Sequence, residues 1–364
     1  MGRTSRSPAY LFSLPMNNTF LLYGANGYTA SLIIERAAHY GLTPVLAGRN
    51  EAKVSSLAQK HNLTYRIVDL NDARALDTAL ANVDVVLHCA GPFSKTALPM
   101  QVACLRTRTH YLDITGEVAV FEGGKILGQQ AVEKNIMLMS GVGFDVVPTD
   151  CMALYLKNKL PDATHLQLAF ANDGGSLSHG TALTAVENLG SGGTVRENGQ
   201  LKTVPNAYKT LDVAFEPGKT RSCATIPWGD LATAYHTTGI LNIETYMAMP
   251  PSAIRMAKLG NYLGWLVRSK TVQRLLTSRI NKTLTGPSKT VRQRARSLVW
   301  GRVSNAAGQS EEARLTCPEG YTLTAEMALI ITKKVLDGHW KPGFQTPAGL
   351  YGERLVEEGG GIWG

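Results

Sequence analysis

A chain of 364 residues that is 44% hydrophobic can bury a sizeable core, and its length suggests two domains more readily than one. The five cysteines (Cys89, Cys104, Cys151, Cys223 and Cys317) are scattered and form no C-x-x-C pair, which argues against both a disulfide framework and a zinc site and for a reducing, cytoplasmic setting. The net charge of +9 has a local origin: twelve lysines and arginines lie between Pro251 and Arg302, where there is no Asp or Glu, and acids outnumber bases in the remainder.

Residues 1–15 hold Arg3 and Arg6 but no sustained apolar run, so a secretory signal is not expected. The basic, acid-free stretch reads as a transit peptide or, preferentially, as a dispensable extension ahead of a start at Met16. From there to residue 150, apolar runs alternate with helical patterns, as in a doubly wound parallel α/β sheet. Strands are expected near 19–23, 43–47, 64–68, 84–89, 109–113 and 136–140, and helices near 27–40, 50–61, 72–81, 97–106 and 117–134. Gly41, Asn62 and Asn135 stand just past helix ends, where a left-handed cap is cheap. No run is long enough to span a membrane as a helix.

Tyr23-Gly24-Ala25-Asn26-Gly27-Tyr28-Thr29-Ala30 joins the first strand to the first helix. Gly24 permits a tight turn, Gly27 lets backbone approach a pyrophosphate, and Ala30 is small enough for close helix packing, with the helix N-terminus facing the phosphates. The residue at the end of the second strand normally reads the adenosine ribose, and here it is Arg49, followed by Asn50, so NADP is favoured over NAD. Other strand ends offer Asp69 and Leu70 to the adenine and the small loop Cys89-Ala90-Gly91-Pro92-Phe93 to the nicotinamide side. Asp113, Thr115 and Glu117 follow the fifth strand, where capping and loop satisfaction compete with catalysis.

Gly141 to Asp150 leaves the sixth strand and should border the cleft, offering Asp145 and Asp150 for proton transfer, although Thr149 or Asp150 can simply cap the next helix. His179 and Tyr235 or His236 are the other candidate proton donors. Tyr155 and Lys159 form a Y-x-x-x-K pair, but Val142 stands where that chemistry wants a serine, so the pair reads as coincidence. Beyond Pro148, period-2 stretches at 165–170 and 242–249 and the hairpin signal Asn198-Gly199 indicate a mixed or antiparallel sheet. Residues 251–284 read as a basic amphipathic helix suited to an anionic membrane surface, an acyl carrier or a CoA-like substrate, with a solvated helix face as the plain alternative and nucleic acid disfavoured. A helix near 322–336 precedes an ordered-loop tail that could return to the first domain.

Taken in order, YGANGYTA, VLAGRN, VLHCAGPF, HYLDITGE, GVGFDVVPTD, TIPWGD, GPSKTVRQRARSLVWG, ARLTCPEGYTLTA and GFQTPAGLYG resemble the saccharopine dehydrogenase-like NADP-binding oxidoreductases, in particular the bacterial branch that includes trans-acting enoyl reductases. The resemblance implies a Rossmann domain (17–147), an α+β substrate or dimerisation domain (148–320), and a C-terminal helix and tail (321–364) packing back on the first. It implies NADP as cofactor, held by Gly24, Asn26, Gly27, Tyr28, Thr29, Arg49, Ala90, Gly91 and Pro92; no metal site is expected, in keeping with the scattered cysteines. Members reduce an imine or a carbon–carbon double bond of a small or lipid-linked substrate. The amino-acid branch has a G-x-x-P-G-like turn after the sixth strand where this chain has GVGFDVVP, which weakens any claim of saccharopine chemistry. The expected function is an NADP(H)-dependent reductase using Asp145 with His179 or Tyr235; the alternatives are a non-catalytic NADP-binding sensor or scaffold and a peripheral membrane enoyl reductase.

Overall fold

The structure, a computed structural model, describes residues 18–174, 192–262, 278 and 286–364. His179 and residues 1–17 fall outside them, as does most of the expected helix beyond Gly260. The first sheet contains β1 (Thr19–Tyr23), β2 (Thr43–Gly48), β3 (Tyr65–Ile67), β4 (Val85–His88), β5 (His110–Asp113) and β6 (Met137–Met139), all parallel in the order β6-β5-β4-β1-β2-β3. This is the doubly wound arrangement, and the order reverses between β1 and β4, where such a sheet opens its ligand crevice.

Both faces of the sheet are covered, which is why its strands read as unbroken apolar runs. Along β1, Phe20 and Leu22 face one core, whereas Leu21 and Tyr23 face the other; Val85 and Leu87 oppose Val86 in the same way on β4. One face receives α1 (Tyr28–Ala37) and α2 (Glu51–His61); the other receives α3 (Ala73–Leu80) and α4 (Phe93–Thr107). Helix ends follow local chemistry: Asn50 and Asp72 accept from Lys53 N and Ala75 N to cap α2 and α3, and Gly41, Asn62 and Asn135 all take the expected left-handed conformation. The expected fifth helix is split into α5 (Val118–Ile126) and α6 (Gly128–Glu133).

The second sheet is mixed. Its centre is β7 (His165–Asp173), parallel to β12 (Asn242–Ala248) and antiparallel to β13 (Arg296–Ser304). The hairpin β8 (Gly193–Glu197) and β9 (Gln200–Val204) turns on Asn198 and Gly199, both at positive φ as a two-residue turn of this type requires. The strands β10 (Thr210–Glu216) and β11 (Lys219–Thr225) curl over the sheet so that Val213 and Phe215 pack on Leu298 and Trp300. On the other face, α7 (Val147–Lys159) packs against β7, β13 and β14 (Ser310–Pro318).

The helix Gly320–Leu336 lies against α1, β4 and β5 of the first sheet and against β14 of the second. Residues around its whole circumference are buried, among them Leu323, Met327, Ala328, Leu329, Ile331 and Val335, as expected of a helix between two layers. Arg36 of α1 holds it through an ion pair of 2.9 Å to Glu326. The tail after it is more structured than the sequence indicates. Gly343–Phe344 adds a seventh parallel strand, β15, beside β6, and Ile362–Trp363 pairs with β14 as β16. Two-residue strands carry no periodicity, so their pairing is set by the surrounding fold.

Asp150, in the first turn of α7, is fully buried and accepts from the Thr237 hydroxyl at 2.6 Å and the Ala348 N–H at 2.8 Å. Burial pushes its carboxyl up to about 6. The side chain thus fastens the C-terminal tail to the second domain. Asp150→Ala leaves the buried Ala348 N–H unpaired, while the half-buried Thr237 hydroxyl keeps Thr346 Oγ1 at 2.6 Å; it should lower stability by about 2 kcal/mol, read as a lower urea midpoint at unchanged m, whereas Asp150→Asn, which keeps one acceptor, should lose less.

Candidate active site

At the C-terminal edge of the parallel sheet, the β1–α1 turn is built by backbone geometry. Gly24 has φ +82°, and its N–H donates to Ala47 O at 2.8 Å. A Cβ on Gly24 would stand 2.8 Å from both the Cβ and N of Ala90, so two strand ends meet here with no space for a side chain. The Gly27 N–H donates to Gly24 O at 2.9 Å, and a Cβ on Gly27 would lie 3.2 Å from that same oxygen. The helix that follows has no side-chain cap and no acid in its first turn, so its leading N–H groups and positive dipole end face the crevice. Such a cradle fits a pyrophosphate.

Arg49, at the end of β2, is exposed and has no carboxylate partner among the described residues, leaving the guanidinium available to an anion. Asn50 stands beside it but already caps α2. Asp69 closes its own turn, accepting from Asn71 N at 2.9 Å and Asn71 Nδ2 at 2.8 Å; it remains exposed next to half-buried Leu70. Asn26 is exposed and Thr29 half-buried, both at the crevice loop.

The β4 end is held from beneath. The Thr96 hydroxyl lies 2.6 Å from Ala90 O and 3.1 Å from Pro92 O, and it meets His88 Nε2 at 3.0 Å. Burial pushes His88 down to about 3, so the ring is neutral at ordinary pH, and burial pushes the Cys89 thiol up, out of the reactive range. Gly91 is exposed, and Ala90, Pro92 and Phe93 are half-buried around it. Glu117 acts at a distance: its carboxylate accepts from Phe93 N at 2.8 Å and Ser94 N at 2.9 Å, capping α4 rather than its own helix. Sequence spacing places Glu117 at the next strand end, but only the adjacency of β4 and β5 shows which helix it caps. No sequence signal points to His88 and Thr96.

Four carboxylates near the β5 and β6 ends have different surroundings. Asp113 is fully buried and accepts from Tyr111 OH (2.7 Å), Ser140 Oγ (2.8 Å), Gly141 N (2.9 Å) and Thr115 N (3.0 Å), which makes it the tie between two strand ends. Asp230 is buried against the Thr149 hydroxyl at 2.8 Å. Glu117 is engaged by α4. Asp145 alone among the four has no hydrogen-bond partner among the described residues; it lies over Gly116, where a Cβ would come within 2.9 Å of its Oδ2. Burial, with the charge of Glu117 adding to it, pushes the Asp145 carboxyl up to about 7. Beside it, Phe144 meets Phe170 edge-on at 5.7 Å, and Phe170 meets Trp228 at 4.8 Å, giving an apolar wall.

The structure does not bring Tyr235 to this place. Its ring lies under the Arg196 guanidinium at 4.2 Å and near Lys125 at 5.2 Å, beside the Asn198–Gly199 turn. Lys125 is seven residues along α5 from Val118, or about 10 Å of helical rise from the strand ends. His236 packs edge-on against Phe344 at 5.1 Å, and burial and Lys125 hold its pKa below the usual range. Asp150 is occupied as described above. Tyr155 stacks on Trp363 at 4.5 Å with Lys159 over its ring, which accounts for the Y-x-x-x-K pair as packing. No group of three or more metal-ligating side chains occurs among the described residues, and no described helix is long and apolar enough to cross a membrane.

Residues 20–139 match the family described as saccharopine dehydrogenase NADP binding domain. The human saccharopine dehydrogenase-like oxidoreductase is 25% identical over 211 residues, covering 51% of this chain and 48% of its own length. A trans-acting enoyl reductase of Mycobacterium tuberculosis is 29% identical over 138 residues, 36% of this chain and 33% of the relative. The chain thus spans about half or less of the curated relatives it matches. Among solved structures, saccharopine dehydrogenase (L-Glu forming) from Saccharomyces cerevisiae superposes with a TM-score of 0.64 at 15% identity, covering 94% of this chain and 96% of that one, which establishes the shared fold.

Arg49→Ala should weaken NADPH binding roughly tenfold to a hundredfold while leaving NADH within about twofold, because only NADPH carries the 2′-phosphate. Fluorescence titration with both nucleotides measures this, and an equal loss for the two would reassign Arg49.

Proposed function

With residues 20–139 matching the saccharopine dehydrogenase NADP binding domain, we propose that this chain is an NADPH-dependent reductase of a C=C or C=N bond, with Asp145 as its proton donor. The observation that carries the reading is Asp145 itself: a carboxyl with no hydrogen-bond partner among the described residues, raised to about 7, one residue from the aromatic wall and beside the Glu117 that holds the Gly91–Phe93 loop.

Under this reading, the uncapped start of α1 with Gly24, Asn26, Gly27, Tyr28 and Thr29 holds the pyrophosphate, and Arg49 with Asn50 holds the 2′-phosphate. Asp69 and Leu70 border the adenine, and Ala90, Gly91, Pro92 and Phe93 border the nicotinamide. The bound cofactor supplies the hydride. Asp145 then gives its proton to the atom that receives the electron pair of the double bond and regains one from water. Glu117 fixes the loop and keeps the Asp145 proton in place by adding negative charge nearby. Phe144, Phe170 and Trp228 exclude water and favour an apolar substrate portion, which supports an acyl-type substrate over a zwitterionic amino acid.

The basic segment supports the same substrate class. On the helix Pro251–Gly260, Arg255 and Lys258 are exposed together with Met256 and Leu259, and Tyr262 follows at 84% exposure. A face that mixes cations with apolar groups suits an anionic lipid surface or a phosphorylated acyl carrier.

Asp145→Asn should lower kcat by about a hundredfold or more while leaving NADPH affinity unchanged, measured as NADPH oxidation against a panel of enones, imines and acyl thioesters. Because the protonated form does the work and the carboxyl is raised, wild-type kcat should fall as pH rises through about 7, and the Asn variant should lose that limb. An undiminished kcat in the variant removes Asp145 from the reaction. Tight NADPH binding with no turnover across the panel would instead favour a sensor or scaffold.

A further inference from the structure

The motif Gly286-Pro287-Ser288-Lys289-Thr290-Val291-Arg292 belongs to the second half of the chain, yet it ends on the phosphate loop. Tyr28, the first residue of α1, donates its hydroxyl to Pro287 O at 2.6 Å. Arg292 Nη1 in turn donates to that hydroxyl at 2.7 Å and to Pro287 O at 2.9 Å. Gly286, at φ +89°, lets the backbone lie on the Tyr28 ring; a Cβ there would be 2.8 Å from the ring carbons. Tyr321 closes the other side of the ring edge-on at 5.1 Å.

The charges at this junction do not balance. The N-terminus of α1 is a positive dipole end with no acid in its first turn, and Arg292 brings a full positive charge to the side-chain hydroxyl of Tyr28, its first residue. No carboxylate pairs with Arg292 among the described residues. The nearby acid, Glu319, is buried and already accepts from Thr322 N at 3.0 Å and Thr322 Oγ1 at 3.2 Å as the cap of the next helix. Two cationic features that meet at Tyr28, with no carboxylate partner among the described residues, fit a site for a doubly charged group. The phosphate loop itself, from Tyr23 to Ala30, contains no lysine or arginine.

We infer that Arg292 is a cofactor ligand contributed by the second domain, placed by Tyr28 and Pro287 to contact the diphosphate of the dinucleotide. This rests on the NADP-binding reading and adds a residue that lies far outside the matched segment 20–139. The consequence is mechanical as well as electrostatic. The diphosphate is gripped from both domains, so cofactor binding also stabilises the junction that shapes the cleft.

Arg292 and Arg49 then have separable signatures. Arg292→Ala should weaken NADPH and NADH alike, by roughly tenfold or more, since both carry the diphosphate, and Arg292→Lys should recover part of the loss. It should also reduce the rise in Tm that saturating NADPH gives the wild type, while leaving the Tm of the free protein within a few degrees. Tyr28→Phe, which removes the hydroxyl that orients the guanidinium but keeps the charge, should give a smaller loss for both nucleotides. Unchanged affinity for both in Arg292→Ala overturns the inference, as does a loss confined to NADPH, which would place Arg292 at the 2′-phosphate. Wild-type titration with NADPH is the control: absent binding there refutes the NADP reading itself, not the assignment of Arg292 within it.

Discussion

The contact between Gly24 and Ala90 is the constraint on which the rest of the cleft depends. Two strand ends from either side of the reversal in strand order abut so closely that no Cβ fits between them, and the positive φ of Gly24 turns the chain directly into α1. That single approach puts the uncapped helix start next to the loop Ala90–Phe93. A dinucleotide can lie across both only because they are neighbours. The brace beneath, His88 to Thr96 to the carbonyls of Ala90 and Pro92, keeps the second loop at the height that the first requires.

Environment, not residue type, separates the carboxylates around this cleft. Asp113 has four donors and joins β5 to β6; Asp150 has donors from two distant segments and fastens the tail; Glu117 is drawn to the start of α4. Each of these acids holds structure through hydrogen bonds that satisfy it. Asp145 is the exception, packed on Gly116 with no donor among the described residues. A carboxyl so placed is held in its protonated form further up the pH scale, and a proton it gives up disrupts no scaffold.

The Rossmann half was legible because its signals are local. Apolar runs, the glycine spacing at Gly24 and Gly27, and the left-handed caps at Gly41, Asn62 and Asn135 are each settled within a few residues, and the six strands fall close to where periodicity puts them. What was not legible depends on long-range placement. Glu117 reads as a residue of its own helix until β4 and β5 are seen side by side, and the tail reads as loop because β15 and β16 are too short to show a period. Tyr235 shows the same dependence: a tyrosine among polar neighbours looks like a proton donor, and the fold places it under Arg196, near Lys125 and beside a hairpin turn.

The basic second-domain segment has two parts with different surroundings. Its earlier described part, Arg255 and Lys258, is exposed beside exposed apolar groups and faces outward. In its later part Lys289 and Arg294 are exposed too, whereas Pro287 and half-buried Arg292 grip the Tyr28 hydroxyl. A cluster of like charge is tolerable in a fold only where water or an anion compensates it. Water does this for the outward residues. At Tyr28 the nearby Glu319 is already engaged by the helix it caps, and the dipole of α1 adds to the positive charge instead of offsetting it. The excess charge visible in the sequence is therefore not a single surface property, since Arg292 is tied to the residue that opens α1.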